Sequence, residues 1–177
     1  ADRAVASIDM GVGLGAMSLR AALELLRAAP DVAPLLTVED LRLWGEIGSR
    51  LASTNPDVSV EFFAASHDAL ATLQAPKRTL VLQFVSRQAV LSNRTALESF
   101  RAAHQVVDAI GDPRLAREVL AICLELARHS VKHSGELLRS APGVVSHLAT
   151  LDASGALAHR AVALASAFAH RSGGTAA

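Results

Sequence analysis

The residues that come closest to a chemical site are His129 and His133, which lie four positions apart with Glu125 ahead of them. On one continuous helix, this spacing could bind zinc. Ser130 stands between the two histidines, however, at a position where the repeat described below predicts a helix boundary. No third ligand has a convincing spacing, and the sequence therefore predicts no metal site.

Three further patterns begin like chemical motifs without completing them. The segment Gly11-Val12-Gly13-Leu14-Gly15 lacks the Gly-Lys-Ser/Thr ending of a phosphate loop, and we predict close helix packing there instead. Asp152-Ala153-Ser154 begins like a metal-dependent adhesion motif, but Ala156 stands where its second serine belongs. The single cysteine, Cys123, cannot form an internal disulfide, and we predict a small buried residue in a reducing compartment.

The remaining histidines give no arrangement of nucleophile and base. His67 and His104 share one position of the repeat, and His147, His159 and His170 are isolated. Spacing alone supports no Ser/His/Asp or Cys/His site. We therefore predict no catalytic residue and no cofactor, and we predict that the chain is not an enzyme.

These residues belong to a chain that repeats itself. A glutamate, a large apolar residue two positions later and a small pair recur at a spacing of 37 or 38 residues, starting at Glu24, Glu61, Glu98 and Glu136. Such a period is typical of stacked arrays. We predict an all-α fold, an α-solenoid of about four and a half HEAT/armadillo-like repeats. They cover residues of about 3–37, 38–75, 76–112 and 113–151, with a partial repeat at 153–177, in one domain of residues 1–177.

Each repeat is predicted to contain a first helix, helix A, and a second helix, helix B. In the second repeat, one face of helix A is formed by Leu41, Trp44, Ile47, Gly48 and Leu51. Asn55 then provides a helix cap and Pro56 the first position of helix B. The corresponding caps in the other repeats are Ser18, Ser92 and Ser130, and Ser172 is the next one in the partial repeat.

Apolar residues occupy matching columns in the repeats. The predicted core face of helix B is Ala22, Leu26, Ala29, Ala33 and Leu36 in the first repeat, Ala96, Phe100, Ala103, Val107 and Ile110 in the third, and Ser134, Leu138, Ala141, Val145 and Leu148 in the fourth. Helix A has three columns of its own: Met10, Ile47, Phe84 and Ile122; Gly11, Gly48, Val85 and Cys123; and Leu14, Leu51 and Leu126. In the third repeat, Gln88 stands in the last of these columns instead of a leucine, and Ala89 and Val90 lie next to it in sequence. In the partial repeat the face is Ala161, Leu164, Ala165 and Phe168.

Two prolines interrupt this pattern. Pro30 and Pro142 fall inside the predicted helix B, at the position that His67 and His104 hold in the other repeats. A proline there removes a hydrogen-bond donor and clashes with the previous turn. We therefore expect helix B to stop or kink at this position, and a short third helix to carry the last apolar columns.

Charged residues recur on the opposite side of helix B, about 200° from the core stripe, where they are expected to be exposed. Glu24–Arg27, Glu98–Arg101 and Glu136–Arg139 have the i,i+3 spacing of ion pairs that support a helix by about 0.2–0.5 kcal/mol each. The same columns could also dock a partner on a groove, and both interpretations can hold together. The predicted partner-binding residues are Arg20, Glu24, Arg27, Glu61, Arg94, Glu98, Arg101, Lys132, Glu136 and Arg139.

Composition excludes several classes of function. The formal net charge is zero and aromatic residues make up 3% of the chain, which disfavours a nucleic-acid partner. Hydrophobic residues at 51% and charged residues at 19% are not the composition of a disordered tail. No uncharged apolar run reaches 18 residues, so we predict no membrane insertion and a cytoplasmic protein.

Three stretches carry a resemblance to a known family: Val60-Glu61-Phe62-Phe63-Ala64-Ala65-Ser66, Trp44 with Leu51-Ala52, and Leu157-Ala158-His159-Arg160 through His170-Arg171-Ser172-Gly173-Gly174-Thr175-Ala176-Ala177. They resemble the helical region of NorD/CbbO-type proteins. The resemblance implies a non-enzymatic subunit that pairs with a MoxR-type AAA+ ATPase and helps to activate a metalloenzyme, such as nitric oxide reductase or Rubisco. In that family a von Willebrand factor A domain carries the metal site. This sequence has no such domain, so no metal-site residue is carried over.

The sequence thus predicts a non-enzymatic protein-interaction scaffold, the helical part of an adaptor that binds an AAA+ ATPase or its metalloenzyme client. One alternative is an all-helical small-ligand or metal-binding domain with a His-lined pocket. Another is a purely structural, self-associating array. The chain begins at Ala1 and stops within a repeat, and we expect it to be a fragment of a longer protein.

Overall fold

The computed structural model describes residues 2–152 and 154–173, which contain no β-strand. The predicted all-α fold is confirmed. The helices of these residues are α1 (Asp2–Gly15), α2 (Leu19–Val32), a short 3-10 helix (Ala33–Leu35), α3 (Val38–Thr54), α4 (Pro56–Ala71), α5 (Ala75–Leu91), α6 (Asn93–Ala109), α7 (Pro113–His129), α8 (Val131–Leu151) and α9 (Ala156–Gly173). Odd-numbered helices are helix A of each repeat, and even-numbered helices are helix B.

The predicted caps lie at the boundaries between helix A and helix B. Ser18, Asn55, Ser92 and Ser130 all have the same extended backbone, with φ between −158° and −149°. The side-chain oxygens of Ser18, Asn55 and Ser130 accept hydrogen bonds from free N–H groups in the first turn of helix B. These three side chains therefore satisfy a donor at the start of helix B, as their residue types predict.

The chain divides into two compact units, Ala1–Arg101 and Ala102–Ala177. In unit 1, α1 pairs with α2 and α3 pairs with α4. These hairpins then stack like with like, because α1 packs on α3, α3 packs on α5, and α2 packs on α4. This is the packing expected of neighbouring repeats in a solenoid.

The core of unit 1 is built around aromatic side chains. Trp44, Phe62, Phe63 and Phe100 are all fully buried. The rings of Trp44 and Phe63 meet edge to face with centroids 4.8 Å apart, and Phe62 meets Phe100 in the same way at 5.1 Å. The indole N–H of Trp44 donates to the Ser66 hydroxyl at 2.8 Å, so the only polar atom of this ring is satisfied inside the core.

A half-buried arginine binds carbonyl oxygens at two helix ends in unit 1. The Nε of Arg78 donates to the carbonyl oxygen of Leu70 at 2.8 Å, and its Nη1 donates to the carbonyl oxygen of Leu35 at 2.7 Å. Both carbonyls lie at helix ends, where few backbone donors remain, and the Leu70 oxygen also accepts from the N–H of Leu73 at 3.2 Å. Arg78 therefore ties the connection after α2 to the end of α4.

In unit 2, α7 packs on α8, and α9 packs on both. The hydroxyl of Ser134 donates to the carbonyl oxygen of Cys123 at 2.7 Å and joins α8 to α7. Ser59 makes the same bond to Gly48 at 2.8 Å in unit 1, at the corresponding positions of α4 and α3. The repeat in the sequence therefore corresponds to a repeated contact between helix A and helix B.

Helix B was predicted to stop or kink at its proline, and it does not stop there. Pro30 lies inside α2 and Pro142 lies inside α8, and both helices continue beyond them. No third α-helix follows at position 67 or 104 either, since α4 runs to Ala71 and α6 runs to Ala109. In α2, full burial of Val32 beyond the proline offsets the lost hydrogen bond, and only the 3-10 turn follows.

Several predicted core positions are exposed at the outer helices. Leu26 is 42% exposed, whereas Phe63, Phe100 and Leu138 in its column are buried. On α9, Leu164 and Phe168 are 61% and 62% exposed, and the predicted cap Ser172 lies within the helix. Val145 and Leu148 are only half-buried. Within the described residues of their own units, no further helix covers these side chains. In the third repeat Gln88 is buried in its column, whereas Val90 is exposed.

Candidate interaction surface

The charged columns of helix B form ion pairs between repeats in unit 1. Arg20 on α2 contacts Asp57 on α4, with 2.6 Å between Nη1 and Oδ1. Arg101 on α6 contacts Glu61 on α4, with 3.5 Å between Nη2 and Oε2. These pairs link the charged face of one helix B to that of another. The same face carries Glu24–Arg27, which has the predicted i,i+3 geometry at 2.8 Å.

Two of the three predicted i,i+3 pairs are wrong. Arg101 pairs with Glu61 rather than Glu98, and in unit 2 Glu136 pairs with Lys132 at 3.9 Å rather than with Arg139. Among the described side chains, Glu98 and Arg139 form no ion pair, and both are exposed. The side chain of Arg94 lies outside those that the structure describes. Flexible surface side chains select the nearest opposite charge, and helical spacing alone does not identify it.

Most of these charges remain accessible to a partner. The side chains of Arg20, Asp57 and Arg27 are mostly exposed, so their ion pairs contribute at most about 1 kcal/mol each in water. Glu24 departs from the prediction of exposure, because only 17% of its side chain is accessible. An exposed pair costs little to open, so the face can exchange its internal partners for those of another protein.

The structure separates the two histidines that could have held zinc. Helix α7 ends at His129, Ser130 caps α8, and His133 lies in the first turn of that helix. Glu125 forms an ion pair with Arg128, with 2.9 Å between Oε2 and Nη1. Within residues 2–152 and 154–173, no three His, Cys, Asp or Glu side chains form a group that could hold a metal ion.

His159 is not isolated, contrary to the prediction from sequence. Its Nε2 lies 3.3 Å from Oδ2 of Asp112, and its Nδ1 lies 3.9 Å from Oε2 of Glu118. The two carboxylates face different ring nitrogens, so they do not converge on one point. The contact joins α9 to the start of α7, where Asp112 is the cap, and sequence spacing gave no sign of it.

The motif-like segments have structural roles. The glycine-rich segment is helical within α1. A Cβ on Gly11 would lie 3.0 Å from the Leu26 side chain, which confirms close packing at Gly11, whereas no atom lies within 4 Å of a Cβ on Gly13. Asp152 lies at the end of α8, where its carboxylate accepts hydrogen bonds from the Ser154 hydroxyl and from the N–H groups of Ser154 and Leu157. The Ser154 hydroxyl and these N–H groups lower the pKa of Asp152, so the cap is strong above the ordinary carboxyl pKa and weakens as the pH falls. Ala153 lies outside the described residues.

Cys123 is fully buried and its thiol is free, as predicted. Burial raises its pKa from the ordinary value of 9.0 to about 12, because a thiolate would have to lose its water. Cys123 therefore fills space in the core, and its thiol is not suited to act as a nucleophile.

We expect the Cys123 thiol of the folded protein at pH 8 to react with a disulfide reagent at least about a hundredfold more slowly than the urea-unfolded chain. The thiol of the unfolded chain ionises at a lower pH than the buried thiol does. The contribution of Cys123 to folding stability is therefore fully present below pH 9.0 and is lost as the pH rises towards about 12. Stopped-flow labelling checks the rate, and a Cys123→Ala variant gives the background. Rapid labelling without unfolding would contradict the buried position.

An apolar groove in unit 2 was not predicted. It has a volume of about 90 Å³ and lies between α7, α8 and α9. No histidine lines it, so it differs from the His-lined pocket of the small-ligand hypothesis. The lining residues are Val119, Ile122, Leu137, Ala141, Val144, Val145, Leu148, Ala161, Val162 and Ala165.

Family models, curated proteins and solved structures were compared with this chain, and none of them matches it. The resemblance to NorD/CbbO-type proteins therefore stays a prediction. In the described part of the chain, no helix has the length and hydropathy needed to span a lipid bilayer.

Proposed function

We propose that this chain is a non-enzymatic protein-interaction scaffold whose partner binds the charged face of helix B in unit 1. The proposal is supported above all by the contacts of Arg20 with Asp57 and of Arg101 with Glu61, which extend that face over more than one repeat. A face of this kind offers both signs of charge at repeat spacing. Electrostatic complementarity of this kind selects a partner and its register.

The narrower form of the proposal is that the partner is a MoxR-type AAA+ ATPase and that the chain is the helical part of its adaptor. This form rests on the resemblance of Val60–Ser66, Trp44 and the last helix to the NorD/CbbO helical region. The regular exposure of charge on helix B is compatible with such a role. A cytoplasmic location would follow from this partner.

The test is a binding titration of the purified chain with a MoxR-type ATPase from the same source, in which calorimetry measures the affinity. We expect saturable binding that weakens as salt is added, because exposed charges are screened. Reversing two exposed charges of α2, with Arg20→Glu and Arg27→Glu together, should weaken binding by about tenfold or more, because like charges then oppose the partner.

Arg50→Glu is the matched control, since Arg50 is an exposed arginine on helix A, away from the charged columns. It should change the affinity by no more than about twofold relative to wild type, because residues away from the binding energy's few main contacts contribute little. Trp44 emission and circular dichroism show whether each variant is folded. Equal loss in both variants, or no binding by the folded wild-type chain, would contradict the proposal.

A further inference from the structure

Met10 lies between a packed interface and an open cavity in unit 1. It belongs to the helix A column of Ile47 and Phe84, which are both buried, whereas Met10 itself is only half-buried. The cavity has a volume of about 380 Å³ and lies against α1 and α3. Its lining residues are Asp2, Val5, Ala6, Asp9, Met10 and Arg42. A volume of this size admits water and other small polar molecules, so they can reach Met10 without unfolding α1.

On its other side, Met10 packs on the backbone of α3. Gly45 is buried there, and a Cβ added to it would overlap Sδ of Met10 and would lie 3.0 Å from its Cγ. At a shift of 37 residues, Gly45 corresponds to Ile8 on α1 and to Leu82 on α5, which are both large. The missing side chain of Gly45 therefore makes the space that the sulfur occupies, and this side has no room for an additional atom on Sδ.

The α3 side of this contact is also poor in hydrogen-bond donors. Gly45 lies in the middle of α3, where its N–H group belongs to the helical hydrogen bonds. The neighbouring Trp44 already donates its indole N–H to Ser66. An oxygen atom on the Met10 sulfur that faced α3 would be buried without a partner, which costs free energy. An oxygen that faced the cavity would be hydrated, and its hydration would favour conformations in which the side chain leaves Gly45.

We propose that Met10 is an oxidation site for hydrogen peroxide, and that its oxidation loosens α1 from α3. The sulfur lone pair attacks one oxygen of the peroxide, and the O–O bond breaks as the S–O bond forms. A proton moves from the attacked oxygen to the other oxygen, which leaves as water. The thioether thus loses two electrons and becomes a sulfoxide, which methionine sulfoxide reductases convert back. The contact between α1 and α3 is then a reversible redox switch, and it does not depend on the interaction function proposed above.

The first test compares the two methionines of the folded chain. Met17 is 48% exposed in the turn between α1 and α2 and is the internal reference. We expect peroxide to add one oxygen to Met10 as well as to Met17, as located by peptide mapping with mass spectrometry. Ala6→Leu should slow the oxidation of Met10 severalfold relative to Met17, because a larger side chain fills the cavity. Ala4→Leu is the matched control, since Ala4 is exposed on the same helix and does not line the cavity.

The second test measures the effect of the sulfoxide on the fold. In a Met17→Leu background, where Met10 is the only methionine, oxidation should speed hydrogen exchange of the α1 amides by about tenfold or more. It should also lower the urea midpoint that Trp44 emission reports, and methionine sulfoxide reductases should reverse both changes. Met10→Leu is the control, because leucine has a similar volume and is not oxidised. The same peroxide treatment should leave its exchange and its midpoint unchanged.

Three results would overturn the inference. They are oxidation of Met17 alone in the folded chain, a Met10 sulfoxide with unchanged exchange and midpoint, and equal destabilisation of the peroxide-treated Met10→Leu variant, which would assign the effect to another residue. None of them bears on the charged face of helix B, because the titration with the ATPase tests that face separately.

Discussion

Replacing Gly48 by alanine is expected to cost more than about 3 kcal/mol of folding free energy, at the upper end of the range for overpacked cores. A Cβ at this position would lie 1.9 Å from Cζ of Phe63. The ring of Phe63 cannot retreat easily, because Trp44 and Phe62 hold it at centroid distances of 4.8 and 5.5 Å. Urea unfolding followed by the emission of Trp44, the only tryptophan, measures the loss.

Gly13→Ala is the matched control for this substitution. Gly13 is also a helical glycine of unit 1, but no atom lies within 4 Å of its added Cβ. Alanine should therefore stabilise the helix, by up to about 1 kcal/mol, through its higher helix propensity. Should Gly48→Ala fail to fold, adding Phe63→Leu should restore part of the stability, since Gly11 faces Leu26 at the corresponding positions. Equal stability of the two alanine variants would show that the predicted clash is absent.

The local features of this fold could be predicted from sequence because they depend on residues close together in the chain. Caps are an example, since Asn55 followed by Pro56 fixes a helix start by its own chemistry. The apolar columns were also predictable, because the period of the repeat places equivalent residues against equivalent neighbours. Trp44 and Phe100 are both buried for this reason.

The outer helices could not be predicted in the same way. Leu26 is a large apolar residue at the repeat position of Phe63, but its burial depends on whether another helix covers it. Leu164 and Phe168 show the same effect on α9. Pro30 was misjudged because the local cost of a proline was weighed without the burial of Val32 that follows it.

The candidate surface was predicted in part. Sequence placed Arg20 and Glu61 on the exposed side of helix B, but it could not pair them with Asp57 and Arg101. Such pairs need the register between neighbouring helices, which a pattern within one helix does not contain. The groove of unit 2 was missed for a similar reason, because it is defined by three helices and not by one residue motif.

The aromatic core gives the second large effect that we expect. Phe62→Ala should cost about 3–5 kcal/mol, as for a large aromatic side chain removed from a packed interior. Phe62 is fully buried and contacts Phe63 on its own helix and Phe100 on α6. Urea unfolding followed by circular dichroism measures the change for the whole chain.

Phe168→Ala is the control of identical chemistry, because Phe168 is largely exposed on α9 and should cost no more than about 0.5 kcal/mol. The comparison also tests the stacking of the repeats, because Phe62 marks the contact between one helix B and the next. If Phe62→Ala cost as little as Phe168→Ala, contact between successive B helices would add little free energy.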